Sequence, residues 1–167
     1  PNVKVHGLEE FSQLIYSKKI NIFFQQVFDV HGQEQVGYES SVRGVHSVGI
    51  ISEEDLATLA IETKLEKEFL ALYLDKLRIF TYGLKKSLWI SLWLHPKILM
   101  SLFEHFPNYI KEIGIDPYLL IYQIKAGDFA RYDRLLKDII EKVRDQKSRL
   151  SIYLTWGAPV PLNLLFD

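Results

Sequence analysis

The sequence predicts an α/β domain built around a parallel sheet, and three observations carry that prediction. From Gly83 onward, short apolar strands alternate with amphipathic helical patterns, giving two consecutive βαβ units. Right-handed crossovers in such units place every strand's C-terminal end on one side, where α/β barrels and open sheets bind their ligands. Ahead of them, residues 20–43 read as a hairpin. The third observation is bulk: 167 residues that are 48% hydrophobic suffice for one domain with its own core, without a linker or a low-complexity segment.

Taken in order, residues 1–19 are a lead-in helix, with Leu8, Phe11, Leu14 and Ile15 at helical spacing, and are expected to pack under the first strand. In the hairpin, Ile22–Val30 is apolar enough for a buried strand, His31–Glu34 is a turn, and Gln35–Val42 alternates into a second strand. Gly44–Gly49 reads as a flexible connection. Residues 52–167 then hold a helix pair followed by βα units. Ser52, Glu53, Glu54 and Asp55 make a capping-box-like start to a helical pattern that runs to about Phe80. Leu88–Leu94 is a strand, and Pro96 suits the first turn of a helix that Pro107 interrupts, with a second short helix ending at Gly114. Tyr118–Ile124 is the next strand. Asp128 is placed to cap a helix striped by Tyr132, Leu135, Leu136, Ile139, Ile140 and Val143, and Leu150–Thr155 closes the series as a strand.

Composition excludes several functions. A formal net charge of −1 gives no electrostatic footprint for a nucleic-acid polymer. With no cysteine there is neither a disulfide framework nor thiolate chemistry, which fits a reducing cytoplasm. The longest apolar runs are far short of a membrane span. The five histidines lack H-E-x-x-H spacing and read as turn, cap or surface residues. Gly83–Ser87 is not a Walker A loop, and no G-x-S-x-G motif points to acyl chemistry.

The hairpin carries the functional signal. Glu39 and Arg43, four residues apart at a strand end, share one face where an anion or a metal can be met; read alone, they are a surface ion pair. The whole string, however, resembles the opening of the EAL family of bacterial cyclic-di-GMP phosphodiesterase domains. There an aromatic strand ending F-Q-P leads through a D-x-x-G turn into G-Y-E-A-L-x-R. Here stand Phe24-Gln25-Gln26, then Asp29 to Gly32, then Gly37-Tyr38-Glu39-Ser40-Ser41-Val42-Arg43, so the signature triplet reads E-S-S.

The resemblance implies a modified TIM-type (βα) barrel, incomplete or truncated at its C-terminal end, because a full barrel takes roughly 200 residues or more and only five or six strand positions are visible. It also implies a test of chemistry. Family members hold two divalent cations on carboxylates and an Asn at successive strand ends, and hard cations need anionic oxygen. Glu39 matches the first ligand. Trp93, in Ile90-Ser91-Leu92-Trp93-Leu94-His95-Pro96, stands where the family has its Asn, and indole offers no lone pair to a metal. Gln123-Ile124-Lys125-Ala126 replaces a strand with two glutamates, and Leu154-Thr155, ahead of Trp156-Gly157, replaces a pair of aspartates. Leu165 stands near the family's lysine.

The expectation is therefore an inactive EAL-like domain with no catalytic residues, no metal site and no cofactor, Mg2+ or Ca2+ entering only if the domain were active. It would act in the bacterial cytoplasm as a regulatory module through a protein partner, with a homodimer as one form. Two alternatives stay open. One is a receptor that binds cyclic-di-GMP without cutting it, using Glu39, Arg43, Gln123, Trp93, Thr155 and Trp156, in which Arg43 meets a phosphate through paired hydrogen bonds. The other is an active phosphodiesterase, which requires the strand alignment to have slipped.

Overall fold

A computed structural model describes residues 2–46, 49–85 and 87–153, with side chains described for most of these. A helix α1 (Asn2–Tyr16) precedes the hairpin of β1 (Ile20–Phe28) and β2 (Gln35–His46), and a three-residue strand β3 (Gly49–Ile51) follows. Two helices come next, α2 (Glu53–Thr63) and α3 (Glu66–Thr81). The βα units are β4 (Trp89–Trp93), α4 (Pro96–His105) with the short α5 (Tyr109–Ile113), β5 (Leu120–Lys125), α6 (Ala126–Asp145) and β6 (Arg149–Tyr153). The strands lie in one sheet ordered β1-β2-β4-β5-β6, with β3 pairing β2. β1 runs antiparallel to β2, while β2, β4, β5 and β6 are mutually parallel.

Local chemistry explains most boundaries. Asp29 folds the hairpin turn through its carboxylate, which accepts the backbone N–H groups of His31 and Gly32. Ser52 caps α2 by accepting the Asp55 N–H at 3.2 Å, and donates its hydroxyl to the Asp55 carboxylate at 2.6 Å. Pro96 occupies the first turn of α4, and Gly114 ends α5 in the left-handed region at φ 70°. Gly37 is required for another reason: a Cβ there would come within 2.2 Å of the indole ring of Trp89 on the neighbouring strand.

Several boundaries differ from the sequence reading. β1 begins and ends two residues earlier than expected, and β2 continues past Val42 to His46, where it pairs with β3 across the segment expected to be a flexible connection. The expected helix pair is present between Ser52 and Thr81, and the structure places its break where Lys64 adopts φ 58° and its N–H returns to Ala60 and Ile61. β5 starts at Leu120 because Asp116 first caps a 3-10 turn over Pro117–Leu119. Asp128 does not cap α6; Lys125 holds the cap position, and Asp128 sits in the first turn. α6 also kinks at Tyr132, with φ −133° and ψ 29°. The lead-in helix packs chiefly against α2 and β2. Of the expected strand Leu150–Thr155, residues from 154 on lie outside the described residues.

One core joins sheet and helices. Ile90, Leu92, Leu120, Tyr122 and Ile124 from the sheet are fully buried with Leu77, Ile98, Leu99, Leu102 and Leu136 from the helices. Aromatic contacts fasten the opening hairpin to α3: Phe24 stacks on Phe80 at 3.4 Å between centroids, and Tyr38 meets Phe80 edge to face at 5.1 Å.

Candidate functional site

The parallel strands end together, so the ends of β2, β4 and β5 and the helix starts that follow them form one surface. The sheet alternation sends Ser40 and Leu92 into the core and leaves their neighbours Glu39, Ser91 and Trp93 on the other side. Glu39 is paired in register with Ser91, and Trp93 with Gln123. Across the intervening strand, Gln123 Nε2 donates to Glu39 Oε1 at 3.3 Å.

Lys125, two residues on, has its ammonium over the Trp93 ring at 4.5 Å from the centroid and ion-pairs with Glu54 at the start of α2. Trp93 itself is only 7% exposed, so its face is covered by that ammonium rather than open to a ligand, and its indole N–H has no hydrogen-bond partner among the described residues. Arg43 is exposed farther along β2 and makes no ion pair with Glu39 among the described residues. Thr155, Trp156 and Leu165 lie outside the described residues.

The structure adds Glu53, which the sequence showed only as part of a helix start. The β2–β4 ladder stops at Ser40↔Leu92, and the β2–β3 ladder begins at Gly44. Between them Glu53 Oε1 accepts the Val42 N–H at 3.1 Å. Burial pushes the Glu53 carboxyl up from its ordinary value to about 7; the Val42 N–H, Lys125 and Arg43 pull it down, and the charge of Glu39 pushes it up. Two glutamates opening a helix directly after a strand end were the available signal, since βα connectivity brings such a helix start to the strand ends.

On the flank, His95 caps α4 through Nδ1, which accepts the Lys97 N–H at 3.3 Å, and its Nε2 lies 3.2 Å from the Tyr132 hydroxyl. Burial lowers the His95 pKa, opposed by Asp128, whose own carboxyl is raised by burial. The expected cap role of a histidine is met at His95, and His31 lies in the hairpin turn.

An EAL-type site implies divalent cations, and the donors here fit them poorly. On the strands the one anionic group among the described residues is the Glu39 carboxylate, already engaged by an amide, and beside it stand the neutral oxygens of Ser91 and Gln123, an indole and an ammonium. No group of three or more His, Asp or Glu side chains converges among the described residues. Of the two carboxylates at the start of α2, Glu54 is taken up by Lys125 and Glu53 accepts the Val42 N–H. A pair of hard cations needs several anionic oxygens at once.

No family model matches the chain, and no curated protein does. Solved structures do. The fold is similar to the PaMucR phosphodiesterase in its c-di-GMP complex, with a TM-score of 0.72 at 19% identity over 88% of this chain and 62% of that one. It is similar to the FimX EAL domain of Pseudomonas aeruginosa bound to c-di-GMP, with a TM-score of 0.75 at 18% identity over 95% of this chain and 66% of that one. The Bacillus subtilis YkuI protein, with an EAL domain in complex with c-di-GMP and calcium, gives 0.66 at 17% identity over 93% of this chain and 41% of that one. The fold is thus EAL-type α/β, and the chain spans somewhat under two thirds of the length of the first two of these structures.

Proposed function

We propose that the chain is a catalytically inactive EAL-like signalling domain, with E-S-S in place of the family signature, that acts through protein contact in bacterial cyclic-di-GMP signalling. The observation that carries this reading is the filling of the strand ends. Where phosphodiesterase chemistry needs paired cations and an activated water, Gln123 holds Glu39, and the Lys125 ammonium lies between Trp93 and Glu54. An ammonium among these groups disfavours a dication by direct repulsion.

The test is incubation with cyclic-di-GMP and Mg2+, followed by chromatography for the linear dinucleotide. No turnover is expected, and measurable turnover overturns the reading. A second reading, a non-hydrolysing receptor, is favoured by one observation: Arg43 is exposed at the strand end and not paired with Glu39. Calorimetry decides it. Micromolar binding of cyclic-di-GMP that Arg43→Ala abolishes would make the chain a receptor; absence of binding with and without Mg2+ leaves protein contact as its mode of action.

A further inference from the structure

The opposite end of the sheet carries a feature that neither reading uses. A cavity of 950 Å³ lies between the C-terminal turn of α3 with the loop after it and the loop from α5 into β5. Half-buried Leu84, Leu88 and Leu119 line it, and Ile79 and Tyr82 stand at its side 69% and 96% exposed. Exposed large apolar groups gathered at a concavity mark interaction sites, and Tyr and Arg are the residues on which binding energy concentrates.

The groove is built before anything enters it. Thr81 Oγ1 donates to the Ile113 carbonyl at 2.7 Å and ties the two walls together. The walls also differ in charge: Lys85 lies on the α3 side with Arg78, which is paired to Asp75 of its own helix at 3.0 Å, and Glu112 and Asp116 lie on the other. The nearby strands cannot accept an added strand, because β4 is paired with β2 and β5, and β5 with β4 and β6. Recognition there rests on side chains alone, the mode in which an amphipathic helix lays its apolar stripe in a groove.

We propose that this groove docks an amphipathic helix of a partner protein, with an apolar stripe on Leu84, Leu88 and Leu119, an acidic flank against Lys85, and a basic flank against Glu112 and Asp116. It gives the protein contact proposed above a location, yet it stands apart from the strand ends: turnover of cyclic-di-GMP would remove the inactive reading and leave the groove untouched.

The probe is a synthetic helical peptide with leucines at i, i+3, i+4 and i+7, glutamates on one flank and lysines on the other, with a scrambled peptide of the same composition as control. Fluorescence polarisation is expected to show micromolar binding of the helical peptide alone, weakened at least about tenfold by Tyr82→Asp and by Ile79→Asp. Both side chains are exposed, so circular dichroism should find the variants folded. Equal binding to wild type and variants overturns the proposal, as does no binding to wild type. Sedimentation that shows self-association lost in Tyr82→Asp also overturns it, assigning the face to a second copy of the chain.

Discussion

Ser40 and Glu39 are neighbours on β2, yet they belong to two differently built regions. Ser40 faces the helices, is 2% exposed, and shares a hydrogen bond of 3.3 Å with the fully buried Tyr73. Around it Ile90, Leu92 and Tyr122 meet helix side chains in close packing. Glu39 faces the other way, toward an amide, an indole and an ammonium held by long polar contacts. The difference teaches that this EAL-type fold is held together on one face of its sheet and carries its strand-end chemistry on the other. Its stability is supplied on the helix side, where area leaves water, and strand-end substitutions leave that side alone.

If this division is right, the largest effect belongs to the helix side. Ile90→Ala should destabilise the fold by about 4 kcal/mol in denaturant titration; a loss no larger than that of a strand-end variant would break the comparison. Next comes pH. The folded Glu53 carboxyl keeps its proton to about pH 7, against 4.5 as the ordinary value. Between those values the folded state binds more protons than the unfolded chain, so stability falls as pH rises through the window, by up to about 3 kcal/mol, and levels off above it. Glu53→Gln keeps an acceptor for the Val42 N–H and should flatten that slope in unfolding curves at pH 5 and pH 8.

A smaller effect is expected at Lys125. Lys125→Ala uncovers Trp93 and leaves Glu54 without its partner, costing about 1 kcal/mol, and it shifts the Glu53 window to higher pH because one of the cations holding the carboxyl down is gone. Smallest of all, Gln123→Ala removes one long hydrogen bond at a solvent-accessible position, and under about 1 kcal/mol should be lost. A loss at Gln123 exceeding that at Ile90 would mean that the strand ends support the fold.

The same division explains what could be read in advance. Elements that rest on local chemistry were legible: the Asp29 turn, the Ser52 cap, Pro96 at a helix start and Gly114 at a helix end. The place where the helix pair breaks, at Lys64, was not, because a lysine in the left-handed region carries no signal comparable to glycine. Nor was the kink at Tyr132, which interrupts a regular apolar stripe where its hydroxyl meets His95. At the strand ends, motif comparison singled out Glu39, Trp93 and Gln123, and register brought them together. Glu53 and the Lys125–Glu54 pair escaped notice because they depend on partners remote in sequence, and the helix start they occupy had a sufficient explanation as a cap.

The seat of Trp89 over Gly37 has a consequence for all of this. Only glycine leaves room beneath the indole, so the first rung between β2 and β4 works as a key that fits one alignment; a slip by one residue would push Val36 or Tyr38 into the ring and turn each side chain to the wrong surface. That rung lies at the entry of β4, away from the polar cluster, yet it dictates how far along the strand Glu39 stands relative to Gln123. The spacing at one rim of the sheet is thus calibrated from the other.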